Sequence, residues 1–259
     1  MWLFVWDNEP SKIFVGDTQA SKVFVWDTQV RPSYTPRTPD ASRTLLYMKF
    51  NNNLNDDSGN GVSVSGLNLT YWTEWNNSYV QLTSKYGVVT PPWNLASSIG
   101  TGDFTVSSFF YAVDTTHTEP AWVFGDWYDW GYPRPWICVR FKYDTNSSTN
   151  YFIAWMNDGV GTWAINAECT INTRHHQVYV RRNWTVYWFL DGVKYWPQNN
   201  TINLSNVDKF VIIWRNDYSP QAWWQTWART SEVILENVAW TDQEIAGYFN
   251  YQKWNYWIS

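Results

Sequence analysis

The residues best suited to binding a ligand lie in one segment, 125–134. Aromatic rings stack on sugar faces, while a guanidinium group and carboxylates fix the sugar hydroxyls. The segment therefore predicts a carbohydrate site on a loop at one rim of the domain, formed by Trp127, Tyr128, Trp130, Tyr132 and Arg134. Tyr218, in a second polar loop at 216–227, is a further candidate contact. The alternative is a long surface loop without a ligand, in which Trp127 and Trp130 stand at positions that glycine would occupy in the native protein.

The histidines and cysteines indicate structural roles. His175 and His176 are the only adjacent pair among three histidines. Neighbouring residues on a strand point to opposite faces, so the two imidazoles cannot readily bind one metal ion. Cys138 and Cys169 would form a disulfide if their strands lay together, but their strand-like surroundings favour buried free thiols. Two cysteines are too few for a cysteine-based zinc site.

Tryptophan is abundant, with 22 residues, and several of them occupy positions typical of glycine. The first 30 residues contain a ten-residue repeat in which Phe-Val is followed by a turn. Gly16 fills the turn position in one copy, and Trp6 and Trp26 fill it in the others. Glycine is favoured in turns because it reaches positive φ without steric cost.

Two interpretations of the tryptophans remain open. They are either exposed rings that bind carbohydrate, or products of a UGA codon that the source organism reads as glycine. The second interpretation is supported by Asn183-Trp184, which stands where a hairpin would have Asn-Gly. It predicts that Trp26, Trp184 and Trp240 lie in turns, with exposed rings or positive φ, and outside the core.

The composition excludes several classes of partner. Strand-forming residues dominate, only 16% of residues are charged, and the formal net charge is −5. Nucleic-acid binding needs a basic surface, which this sequence does not provide. No apolar run approaches the roughly 18 residues of a membrane span, and no signal peptide is recognisable. We therefore expect neither nucleic-acid binding nor membrane insertion.

Three segments follow one another along the chain. Residues 1–30 form the β-repeat ribbon, which is predicted to serve in attachment or oligomerisation. Residues 31–43 form a linker, in which Pro32, Pro36 and Pro39 favour extended backbone. Residues 44–259 show short strands separated by turns, and a capping box from Thr241 to Glu244 predicts one helix near the end.

The larger segment resembles the laminin G-like, concanavalin A-like jelly-roll domains. The resemblance rests on the order of several motifs between residues 44 and 252. These are LLYMKF at 45–50, NLNDDSGNG at 53–61, YVQL at 79–82, GDFTVS at 102–107, the hairpin ending in LDG at 190, and the strand and helix start at 236–245. The resemblance implies an all-β fold, a two-sheet antiparallel β-sandwich (jelly roll) with a short C-terminal helix.

The resemblance also implies a possible structural Ca²⁺ site. Asp56, Asp57 and Asn60 lie in a turn that is close to the last strand in such domains, where Glu236 would complete the set of oxygen ligands. The alternative is a polar turn stabilised by its own side chains.

Catalysis is the less favoured function. Related β-glucanases use a Glu-x-Asp-x-Glu strand, which places paired carboxylates on one face. That motif does not occur in this sequence, and Glu232 and Glu236 are four residues apart. The sequence therefore predicts a non-catalytic recognition or structural module for a glycan or cell-surface polysaccharide, on a phage virion or a bacterial cell surface. The repeat at 1–30 would mediate self-association or attachment to a particle. The alternatives are a concanavalin A-like glycoside hydrolase with unusual carboxylates, or a decoration protein without a ligand.

Overall fold

The computed structural model describes residues 14–15, 18–19, 40–74, 77–82, 88–111, 120–126, 135–144, 149–158, 162–170, 173–195, 197–199, 203–206, 210–211, 213–214 and 229–256. The chain divides into two compact units, Met1–Tyr34 and Thr35–Ser259. In the first unit, strand β1 (Phe14–Val15) pairs antiparallel with β2 (Thr18–Gln19). The rest of the predicted ribbon, with Trp6 and Trp26, and most of the predicted linker lie outside the described residues.

Among the described residues of the second unit, most of the regular elements are strands. They are β3 Thr44–Met48, β4 Ser65–Leu67, β5 Leu69–Glu74, β6 Asn77–Leu82, β7 Val88–Thr90, β8 Phe104–Tyr111, β9 Pro120–Asp126, β10 Pro135–Asp144, β11 Thr149–Asp158, β12 Thr162–Glu168, β13 Arg174–Arg182, β14 Thr185–Leu190, β15 Val193–Lys194, β16 Gln198–Asn199, β17 Phe210–Val211, β18 Ile213–Trp214 and β19 Arg229–Glu236. The helices are α1 Trp93–Ile99, a 3-10 turn at Leu204–Asn206, and α2 Asp242–Tyr256.

Two large sheets form the sandwich. The nine-stranded sheet has the order β15-β14-β13-β8-β19-β6-β5, with β16 beside β14 and β3 beside β19. The five-stranded sheet has the order β12-β11-β10-β9-β17, and β18, β7 and β4 form a small third sheet. All of these pairings are antiparallel. The prediction of an all-β, two-sheet antiparallel sandwich with a C-terminal helix is confirmed.

The core between the sheets follows from the period of two along each strand. In β3, Leu46 and Met48 are fully buried, whereas Leu45 and Tyr47 are half-buried. On β8, Phe110 points into the same core and meets Phe152 of the opposite sheet edge to face, with ring centroids 4.8 Å apart. Burial of such side chains stabilises the fold by about 1.5–3 kcal/mol each.

Helix α2 packs on the outer face of the nine-stranded sheet. Its start is fixed by the predicted capping box. The Thr241 hydroxyl accepts the Glu244 backbone N–H at 3.2 Å, and the Glu244 carboxylate accepts the Thr241 N–H at 2.7 Å. Ile245 and Tyr248, one helical turn apart, are buried against the sheet. Outward-facing residues of β8, β13 and β19 are therefore covered where the helix lies.

The tryptophans that were expected in turns behave differently from one another. The β13–β14 hairpin has a two-residue turn, Asn183-Trp184, with φ of 48° and 67°, and the Trp184 residue is 54% exposed. This is the geometry of a type I′ turn, which favours glycine. The expectation is wrong for Trp240, which is fully buried and donates its indole N–H to Glu236 at 2.7 Å. Trp26 lies outside the described residues.

Candidate functional site

The loop residues predicted to bind sugar are not part of the described structure. Tyr218 and the aromatic and basic residues of segment 125–134 all lie outside the described residues, so their role stays a prediction. They are Trp127, Tyr128, Trp130, Tyr132 and Arg134.

The turn predicted to bind calcium is held together by protein donors. Asp56 Oδ1 accepts the backbone N–H of Tyr47 and of Ser58, and its Oδ2 accepts the Ser58 hydroxyl and the Val62 N–H, at 2.7–3.0 Å. The Asn60 side chain donates to the Thr44 carbonyl at 2.6 Å. The side chains of Asp56 and Asn60 therefore stabilise the turn and attach it to strand β3 by hydrogen bonds.

The other two predicted calcium ligands, Asp57 and Glu236, also contact protein groups. Asp57 lies 3.8 Å from the ammonium group of Lys49. Glu236 is buried, and its two oxygens accept the Thr44 hydroxyl at 3.0 Å and the Trp240 indole N–H at 2.7 Å. In the part of the chain that the structure describes, no group of three or more His, Cys, Asp or Glu side chains is arranged to hold a metal ion. A calcium site at these four residues stays a prediction, and the contacts described here are those of the alternative, a polar turn stabilised by its own side chains.

A second buried carboxylate lies under helix α2. Glu232 accepts the hydroxyl of Tyr248 and lies 3.4 Å from the Gln252 amide nitrogen. Burial, together with the charge of Glu232 and a hydrogen bond to it, raises the pKa of Tyr47 far above its usual value. Tyr47 therefore stays protonated, and its hydrogen bond to Glu232 offsets part of the free-energy cost of burying that carboxylate. This cluster joins strand β3, strand β19 and helix α2.

The histidine pair has the structural role that the sequence predicted. His175 points into the sandwich core and binds Asp191 through Nδ1 at 2.7 Å. His176 points to the other face, where its ring stacks on Phe109 at 4.4 Å and its Nε2 lies 2.8 Å from the Ser107 hydroxyl. Complete burial lowers the pKa of His176 to about 3, so its imidazole is neutral.

Cys169 is a free thiol, as the strand-like surroundings favoured. Burial, together with the charge of Asp191, raises the pKa of Cys169 to about 12. A thiol with this pKa is a poor nucleophile at neutral pH.

A shallow groove of about 360 Å³ lies between the 56–64 turn and helix α1. Its polar lining comes from Asn60, Ser63, Asn94 and Ser98. Among the described residues that line it, none supplies an aromatic ring or a charge. The groove therefore offers few of the contacts that fix a sugar.

A row of aromatic and guanidinium groups on the outer face of the nine-stranded sheet offers more. We call it the Arg229 row, and it consists of Trp72, Tyr79, Tyr111, Arg174 and Arg229. Strand pairing brings these residues together: Trp72 is opposite Tyr79, and Tyr111 is opposite both Arg174 and Arg229. Their neighbours Val80 and Phe110 point into the core, so by the period of two the row faces outward.

Arg229 lies at the centre of this row. Its guanidinium carbon is 5.2 Å from the ring centroid of Trp72, 5.0 Å from that of Tyr79 and 5.7 Å from that of Tyr111. Arg174 lies 5.8 Å from the Tyr79 ring. These distances fall within the range of cation–π attraction.

Exposure within the row is uneven. Tyr79 and Arg174 are almost fully buried, Arg229 and Tyr111 are half-buried, and Trp72 is 45% exposed. The row is therefore a rigid base that presents one indole and one cation to solvent. It combines an aromatic surface with a directional charged donor, as the segment 125–134 was predicted to do.

The row was not predicted from the sequence. Its residues are separated by up to 157 positions (Trp72 to Arg229), and only strand pairing makes them neighbours. The available signal was the aromatic pair Trp72 and Tyr79, since cross-strand aromatic pairs stabilise antiparallel strands.

Comparisons with known proteins reveal similarity of structure. No protein-family model matches the chain, and no curated protein matches its sequence. Domain 4 of an extracellular arabinanase from Geobacillus stearothermophilus, in complex with arabinotriose, has 12% identity and a TM-score of 0.57, with 80% of this chain and 98% of that chain covered. Trypanosoma rangeli sialidase has 13% identity and a TM-score of 0.62, with 84% of this chain and 34% of that chain covered.

A botulinum neurotoxin type C structure, described for its interaction with two ganglioside molecules, has 13% identity and a TM-score of 0.54. The match covers 81% of this chain and 51% of the toxin chain. The chain thus spans about half of the toxin chain and about a third of the sialidase chain. At these identities the comparisons show a shared β-sandwich fold.

Proposed function

We propose that the second unit is a non-catalytic carbohydrate-binding module. The observation that carries this proposal is the Arg229 row, in which a partly exposed indole and a guanidinium group are held side by side on a rigid sheet. Indole faces stack on sugar rings, and arginine donates several hydrogen bonds in a fixed geometry to sugar oxygens. Because the sheet already holds these side chains in place, little conformational entropy is lost when a sugar binds.

The ligands of the structural neighbours support the same function. The arabinanase domain is bound to arabinotriose, the toxin interacts with gangliosides, and the sialidase is bound to a difluorosialic acid. All three are proteins of glycan recognition or processing, and all share the sandwich fold with this chain. A glycan is accordingly the partner that we propose for this chain.

The carboxylates of the last strand support binding rather than hydrolysis. Glycosidases need two carboxyl groups that reach the substrate from either side of the scissile bond. Glu232 and Glu236, the pair that the sequence singled out, are both buried and bound to structural donors. Glu232 is bound to helix α2, and Glu236 is bound to strand β3 and to Trp240 just before that helix.

The location that we propose is a virion or a bacterial cell surface, with residues 1–30 as the attachment or self-association segment. No helix among the described residues is long and apolar enough to cross a membrane. The short β1–β2 pair within the N-terminal unit is consistent with the proposed ribbon.

A glycan array with the purified full chain tests the function, and the hits are then repeated with Trp72→Ala. We expect binding to a restricted set of glycans, and loss of most of it in the variant. A parallel assay for released reducing sugar tests the alternative. Sugar release that depends on one carboxylate would contradict a non-catalytic module, and the absence of any glycan hit would contradict carbohydrate binding.

A further inference from the structure

Arg229 lies in an environment that is suited to an anion. Its Nη1 donates to the Tyr79 hydroxyl at 3.0 Å, and its Nε lies 3.4 Å from the Gln81 side-chain oxygen. Both acceptors are neutral. The ion pairs formed among the described residues all involve other groups, so within that part of the chain no carboxylate compensates the Arg229 charge.

A half-buried guanidinium group with neutral partners retains binding capacity. Arginine has five N–H donors, and the two hydrogen bonds of Arg229 to Gln81 and Tyr79 use only two of them. Hydrogen bonds from arginine to a carboxylate are about twice as strong as neutral ones and are often bidentate. Because three aromatic rings surround it, the group loses little conformational freedom when a ligand arrives.

The rest of the row determines what kind of anion fits. Trp72 lies 5.2 Å from the guanidinium carbon and is 45% exposed, so an apolar sugar face and a negative charge can be bound side by side. Arg174, also in the row, lies 5.8 Å from the ring of Tyr79 and is almost fully buried, so Arg229 is the cation of the row that a ligand can reach.

We propose that the Arg229 row selects sugars that carry a carboxylate. The sugar ring stacks on Trp72, and its carboxylate accepts hydrogen bonds from Arg229. This inference rests on the proposed function and names its ligand class. Uronic acids and sialic acids both carry such a carboxylate, and the experiment shows which of these two classes of sugar binds.

Isothermal titration of the full chain with trigalacturonate and with sialyllactose tests the proposal. The uncharged counterparts are the methyl esters of the same two sugars, in which only the carboxylate charge is removed. We expect one of the two acids to bind about ten-fold more tightly than its counterpart, and we expect this preference to weaken as salt is added. The acid that binds identifies the source of the carboxylate.

Two variants separate the role of Arg229 from a general charge effect. Arg229→Gln removes the cation and should abolish the preference for the acid. Lys49→Gln is the matched control, because Lys49 also lies over a tyrosine ring, at 5.0 Å from Tyr47, but already has Asp57 as its partner. The control should bind the acid as the parent chain does. If Arg229→Gln does not fold, the comparison of acid and ester on the parent chain decides, and Arg229→Lys should keep part of the preference.

Equal binding of acid and uncharged sugar would overturn the carboxylate inference and leave the carbohydrate-binding function intact. An acid preference that survives in Arg229→Gln would also overturn it. Failure to bind any sugar, together with an empty glycan array, would remove both proposals.

Discussion

The backbone at Trp184 allows a direct test of the turn geometry. Trp184 adopts φ of 67° in the type I′ turn between β13 and β14. A left-handed conformation costs a residue with a Cβ roughly 1–2 kcal/mol, which glycine avoids. The relevant perturbation is the pair Trp184→Ala and Trp184→Gly, because both remove the indole and differ only at Cβ.

The expected difference follows from two opposing terms. Glycine gains the roughly 1–2 kcal/mol of relieved backbone strain and loses about 0.4–1 kcal/mol through the greater entropy of its unfolded chain. From the middle of each range, the Gly variant should therefore have a free energy of unfolding about 0.8 kcal/mol higher than the Ala variant. At Trp72, on an ordinary strand, the order should reverse by about 0.5–1 kcal/mol.

Urea denaturation of the four variants, followed by far-ultraviolet circular dichroism, measures both differences. If Trp184→Gly is no more stable than Trp184→Ala, the positive φ and the reasoning built on it are refuted. If the order is as expected, the turn prefers glycine. We propose that recoding of UGA applies to such exposed turn positions, since Trp240 and Trp188 are fully buried. The peptide mass of residues 182–194 from the native source would test this proposal.

Three further predictions concern helix α2 and the sheet beneath it. The pKa of His176 is lowered to about 3 by burial, against about 6.5 in an unfolded chain. Protonation of His176 thus favours unfolding as pH falls below about 6.5. The free energy of unfolding should fall by about 2 kcal/mol more between about pH 7.5 and about pH 5 in the parent chain than in His176→Phe. Equal pH dependence of the two proteins would contradict a neutral, buried imidazole. Thr241→Ala removes the cap of α2 and should lower the free energy of unfolding by about 1 kcal/mol in urea denaturation, whereas an unchanged midpoint would contradict the capping box. Tyr248→Phe removes a hydroxyl donor to buried Glu232 and should cost about 1–3 kcal/mol in the same assay, and a neutral effect would contradict this role of the hydroxyl.

Local patterns in the sequence predicted the elements that depend on neighbouring residues. Strands β13 and β14, the Asp191-Gly192 turn, and the capping box at Thr241 are all present in the structure, although β13 is buried on both faces. Each of these features depends on residues that are close together in the sequence. The opposite orientations of His175 and His176 follow from the same period of two.

Features that depend on tertiary packing were not predictable in this way. Trp240 follows a strand and precedes a helix, a position where glycine is common, yet its indole N–H satisfies buried Glu236. Helix α1 has no capping side chain and few helical residues to mark it. The Arg229 row exists only because β5, β6, β19, β8 and β13 lie side by side.

The central claim, that this sandwich binds carbohydrate through the Arg229 row, is tested most directly by titrating the best array ligand into the parent chain, Trp72→Ala and Val193→Ala. Val193 is 58% exposed and lies on β15, at the opposite edge of the same sheet. We predict that Trp72→Ala weakens binding by about ten-fold or more, while Val193→Ala binds as the parent chain does. Equal affinity of all three proteins would contradict the claim.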